Sequence, residues 1–112
     1  EKEIRSVTTD ALVDTGCMLL VITEAVREKL GLSIQGLRRG ALADGSSAVC
    51  RLTEPIEIHW NNRDSVCRAL VVPGADKVLL GAIPLEDMDL IVDPVRQQLT
   101  GAHGDEIVAM LL

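Results

Sequence analysis

Apolar residues in this chain fall mostly in short runs, and only one stretch repeats with a helical period. Ile4 to Val13 reads as a strand, with Val7 and Val13 apolar and Thr8 and Thr9 β-prone. Leu19-Leu20-Val21-Ile22 is a fully apolar run of strand length. Thr23 then suits a helix N-cap, and Glu24 follows in the first turn, where the helix dipole favours an acid. Val26 and Leu30 lie four apart on one face, and Gly31 is placed to end the helix. Thr23 to Leu30 is therefore a short amphipathic helix.

From Ser33 onward the pattern is one of strands and turns. Gln35 to Ala43 is a strand, and Asp44-Gly45-Ser46-Ser47 is a hairpin turn, because Asp-Gly accepts the positive backbone angles of a tight reversal. Ala48 to Leu52 is the returning arm, and Pro55 marks an edge or a bend. Ile56, Ile58 and Trp60 alternate with Glu57 and His59, which describes a half-exposed strand with His59 on its polar side. Asn61 to Asp64 turns the chain into a strand over Val66–Val72, ended by Pro73-Gly74. Val78-Leu79-Leu80 is a further buried run closed by Gly81. Pro84 suits a first helical turn, so a short helix is expected over Pro84–Met88, then a strand over Leu90–Val92. Gly101-Ala102-His103-Gly104 reads as a break, and Ile107 to Leu112 as an apolar end that must pack somewhere.

Composition narrows the core. The 112 residues are 47% hydrophobic, with no Phe, no Tyr and one Trp, so one domain (1–112) with an aliphatic core is expected. A net charge of -6 argues against nucleic acid and anionic membrane as partners. Arg38-Arg39 is the one basic cluster, expected in a solvated loop. No apolar run is long enough to span a bilayer, and Glu1 to Arg5 does not resemble a signal peptide. Three widely spaced cysteines, Cys17, Cys50 and Cys67, suit reduced thiols in the cytoplasm and lack the short paired spacing of a zinc site. Cys50 and Cys67 lie in strand-like runs, as small core residues would. No metal or other cofactor is expected.

The candidate chemistry lies in Ala11-Leu12-Val13-Asp14-Thr15-Gly16. An apolar run carries the backbone inward and stops at an acid, a hydroxyl and a glycine. Such a triplet can be a plain turn. It can also present a carboxylate at the floor of a cleft. Cys17 beside it would need a nearby base to act as a nucleophile, and neither His59 nor His103 is placed there by the sequence.

Taken in order, these pieces resemble the retroviral-type (retropepsin-like) aspartic proteases, most closely their small single-domain bacterial branch. The resemblance runs from Val7 to Leu99 and rests on four features: the Asp14-Thr15-Gly16 turn, the apolar run and helix over Leu19–Leu32, the hairpin at Ala43-Asp44-Gly45-Ser46 in the place of the family's flap, and Val78-Leu79-Leu80-Gly81-Ala82 with the helix after it. Asp89 to Pro94 also looks like the bacterial branch. Cys17 departs from the family's usual Ala or Ser, and the flap candidate is poorer in glycine than viral flaps.

The resemblance implies a mainly β fold: a closed, barrel-like acid protease subunit of half size, with one or two short helices, pairing as a two-fold homodimer. It implies an aspartic endopeptidase in which a water is activated between two Asp14 carboxylates, one from each chain, because Asp14-Thr15-Gly16 occurs once. Thr15 would hydrogen-bond across the axis, and Gly16 would let the backbones approach. Leu80 and Gly81 would brace the turn. Ala43, Asp44, Gly45 and Ser46 would close over an extended peptide or protein substrate held in aliphatic pockets, and Ile107 to Leu112 would pair at the interface. The alternative is a non-catalytic dimeric module of the same fold that binds peptides.

Overall fold

The computed structural model describes residues 4–41, 45–96 and 98–105. Its strands are β1 (Ala11–Val13), β2 (Leu20–Ile22), β3 (Ile34–Ala41), β4 (Ser47–Trp60), β5 (Arg63–Val71), β6 (Val78–Leu80), β7 (Leu90–Asp93) and β8 (Gln98–Asp105); its helices are α1 (Glu24–Leu30) and α2 (Ala82–Asp87). The fold is thus mainly β. Six strands form one sheet in the order β1-β6-β2-β5-β4-β3, and β7 pairs with β8 in a separate two-stranded sheet. Among the described residues the large sheet is open, with β1 and β3 at its edges, so the expected closed barrel is not found.

Local chemistry explains most boundaries. The Thr23 hydroxyl accepts from the Val26 amide at 3.2 Å, and Gly31 ends α1 at φ 65. The first strand is shorter than the sequence suggests. Its partner β6 offers only Val78 to Leu80, so the β1–β6 ladder runs from Ala11 to Val13. The arms expected on either side of Pro55 are one strand. Pro55 falls where the β4–β5 register shifts, between Leu52 and Pro55, so the missing amide interrupts no ladder. The turn after Trp60 has two residues rather than four: Trp60 pairs with Arg63, and Asn61 takes φ 51, which asparagine tolerates.

Helix α2 begins at Ala82, with Pro84 inside its first turn as expected. The expected break at Gly101–Gly104 lies within β8, where Leu90 to Asp93 pair with Gly101 back to Gln98. Arg38 and Arg39 sit on the edge strand β3 rather than in a loop, and both are exposed.

The core is aliphatic, as the composition requires. Leu20, Ile22, Ala69, Val71, Val78 and Leu80 of the sheet pack with Leu32 and with Leu85, Met88 and Leu90 on one face, and Val26 and Leu30 of α1 lie against them. Cys50 is buried and Cys67 half-buried. Arg63 is buried as well; its Nη1 donates to Met88 O at 3.0 Å and lies 3.5 Å from Asp89 Oδ2, which ties the start of β5 to the end of α2. The terminal segment Ile107 to Leu112 lies outside the described residues.

Candidate active site

Asp14 is placed one residue past the end of β1. Its amide still donates to Leu80 O at 3.0 Å, so the β1–β6 ladder carries it to a fixed position. Its carbonyl accepts from the Cys17 amide at 3.1 Å, which closes a turn over residues 14–17. Its side chain accepts from the Gly16 amide, 3.0 Å from Oδ1. Gly16 does not take a positive φ. What it supplies is room, because a Cβ there would stand 3.2 Å from Asp14 Oδ1. Thr15 and Gly16 are exposed and Asp14 is half-buried, so the carboxylate is both oriented and reachable. The three residues of the motif thus form one hydrogen-bonded turn.

The turn is held from behind. The Ala82 amide donates to Cys17 O at 2.7 Å and the Ile83 amide to Met18 O at 2.9 Å. Gly81 lies against the same segment, where a Cβ would stand 2.2 Å from Leu19 O and 2.5 Å from Cys17 O. The expected brace by Leu80 and Gly81 therefore exists as a backbone hydrogen bond and a close backbone contact. The two helix-start amides had no separate signal in the sequence, since any residue except proline can supply one.

Cys17 is half-buried, and its thiol donates to Leu19 O at 3.4 Å. Burial pushes its pKa above the ordinary thiol value; backbone hydrogen bonds from Leu19 and Met18 act the other way, and the charge of nearby Asp14 raises it further. That environment suits a neutral packed thiol rather than a nucleophile. His59 is exposed on β4 beside Glu57, with Nε2 3.2 Å from Oε2.

Register tells which face of the sheet Asp14 shares. Leu12 pairs with Leu79, Leu79 with Val21, Val21 with Leu70, and Leu70 with Leu52. Paired residues lie on the same face, and alternation adds Asp14 to Leu12 at one end and Cys50 to Leu52 at the other. This is the face opposite the helix-covered core. Apart from Asp14, the residues this path names are all apolar, and Leu12 is exposed at 56%.

The hairpin formed by β3 and β4 stands at the far edge of the same sheet. Among the described residues, its outermost pair is Ala41 with Ser47. Gly45 takes φ 86 and, with Ser46, is exposed; Ala43 and Asp44 lie outside the described residues. Three strands, β6, β2 and β5, separate this hairpin from β1 along the sheet. Two shallow clefts, one between Trp60 and Leu99 and one between Asp10 and Lys77, do not border Asp14. Among the described residues no group of His, Cys, Asp and Glu is arranged to hold a metal, and no helix is long and apolar enough to cross a membrane.

The chain has no match among curated proteins or among solved structures. A family model described as aspartyl protease matches residues 2–82, a stretch that holds the Asp14 turn, the hairpin and the Gly81 brace, and stops before β7 and β8. With well over half its length matched in this way, the chain belongs to the aspartyl protease family.

Proposed function

We propose that the protein is an aspartic endopeptidase that works as a two-fold homodimer, with one Asp14 from each chain in a shared dyad. The observation that carries this reading is the Asp14 turn itself: a half-buried carboxylate oriented by the Gly16 amide, in a turn backed by Gly81 and in a chain of the aspartyl protease family. Dimerisation follows from the chemistry. A lone carboxylate cannot act as base towards water while a carboxyl polarises the scissile carbonyl. Among the described residues, the Asp14 side chain hydrogen-bonds only to Gly16. The second carboxyl comes from a second copy, and Leu12 at 56% and Met18 at 64% exposure flank the turn as apolar surface for that contact.

In the dimer the two Asp14 groups share one proton. The ionised member takes a proton from the bound water as the water attacks the peptide carbonyl. The protonated member donates a hydrogen bond to the carbonyl oxygen. The proton taken from the water then passes to the leaving nitrogen. Thr15, exposed beside the axis, hydrogen-bonds to the partner turn. The peptide lies extended across the apolar face that Asp14 shares with Leu12, Leu79 and Leu70, and the hairpin around Gly45 and Ser46, together with Ala43 and Asp44, closes over it. Aliphatic pockets favour apolar side chains at the cleaved bond.

The test is cleavage of a diverse mixture of unfolded peptides, from acid to neutral pH, by the protein and by Asp14→Asn. The reading expects cutting by the first, none by the second, and sites flanked by apolar residues. No cutting by either protein, with peptides still bound by a folded dimer, would replace the peptidase with a binding module.

A further inference from the structure

The β3–β4 hairpin leaves the body of the sheet at a definite line. Arg51 pairs with Leu37 on one side and with Val71 on the other. Ser47 to Cys50 pair with β3 alone, so beyond Arg51 the two arms hold only each other. Arg51 is therefore the last position of β4 in register with both neighbours.

A carboxylate grips this position from another element. Glu24, the first residue of α1, accepts from Arg51 Nη2 through Oε2. Its other oxygen, Oε1, accepts from Arg27 Nε at 2.7 Å, and Arg27 Nη1 donates onward to Leu32 O at 3.1 Å. Arg27 thus orients the carboxylate that Arg51 meets, and α1 is itself seated on the core by Val26 and Leu30. A second tie lies one turn of chain lower, where the Ser33 amide and hydroxyl donate to Glu54 Oε2 at 2.7 and 2.8 Å.

We propose that Glu24 is a positioning residue: through Arg51 it fixes the base of the β3–β4 hairpin against α1 and so sets how readily the hairpin opens. Its functional consequence rests on the reading above, in which the hairpin covers an extended peptide. The side chains of Glu24 and Arg51 are 42% and 41% exposed, so solvent screens the pair and its effect is modest. Removing one partner should loosen the hairpin about three- to fivefold, the scale of a half-exposed ion pair.

The experiment is amide hydrogen exchange on Glu24→Gln, Arg51→Gln and the double variant, read separately for the hairpin arms and for the core. Exchange at residues 38–41 and 47–50 should quicken about three- to fivefold in each single variant and no further in the double, because the two act as one pair. Exchange at residues 20–22 and 69–71 should be unchanged, which general destabilisation would not allow. On an uncharged peptide substrate KM should rise by a similar factor, with kcat held within about twofold. Unchanged hairpin exchange, acceleration spread over the whole sheet, or additive effects in the double variant would each overturn the proposal. Absence of cleavage by the unaltered protein would remove the peptidase reading and leave the exchange data to decide the role of Glu24.

Discussion

Gly81 has no room for a side chain. A methyl group there would meet Leu19 O at 2.2 Å and Cys17 O at 2.5 Å, both backbone atoms that no rotamer change can move. Gly81→Ala should therefore cost about 3 kcal/mol or more, read as a lower urea midpoint, and should displace the Asp14 turn. The same stretch sets the behaviour of Cys17. Burial raises the thiol pKa in the fold above its value in the unfolded chain. The thiol therefore supports the fold fully below the ordinary thiol pKa, and that support is lost as pH rises through the raised value, since the unfolded chain ionises first. Alkylation of Cys17 should accordingly need higher pH than alkylation of a free thiol, measured as rate against pH. A low-pH alkylation midpoint would contradict its neutral, packed assignment.

At the scale of elements, local signals were legible and long-range ones were not. The ends of α1 could be read from Thr23 and Gly31 because a cap is a short-range bond. Thr23→Ala should remove that bond and cost about 1 kcal/mol in chemical denaturation. The Asp14 turn was legible for the same reason, as its acceptor and donor lie two residues apart. Strand lengths depend on partners remote in sequence. Residues 4–10 look like strand, but the β1–β6 ladder begins only at Ala11 with Val78; Gly101 to Gly104 look like a break but lie in β8, whose pairing with β7 reaches Gly101. Pro55 looks like a stop, yet a register shift against β5 absorbs it. The bonds of Arg63 to Met88 and of Glu24 to Arg51 carried no periodic signal, because each spans more than twenty positions.

At the scale of the whole molecule, the large sheet of the described residues leaves β1 at one edge, beside the Asp14 turn, and β3, in the β3–β4 hairpin, at the other. A single chain thus carries half of what peptide hydrolysis requires: one oriented carboxylate, an apolar face and one hairpin. In the proposed homodimer, two-fold pairing would complete the set with identical parts. The most direct test is to refold the protein together with Asp14→Asn in varied proportions at constant total chain concentration and measure peptide cleavage. If each dyad takes one Asp14 from each chain, mixed dimers are inactive, and an equal mixture should keep about a quarter of the activity, falling with the square of the unaltered fraction. A fall to about half, linear in that fraction, would mean that each chain works alone and would contradict the shared dyad.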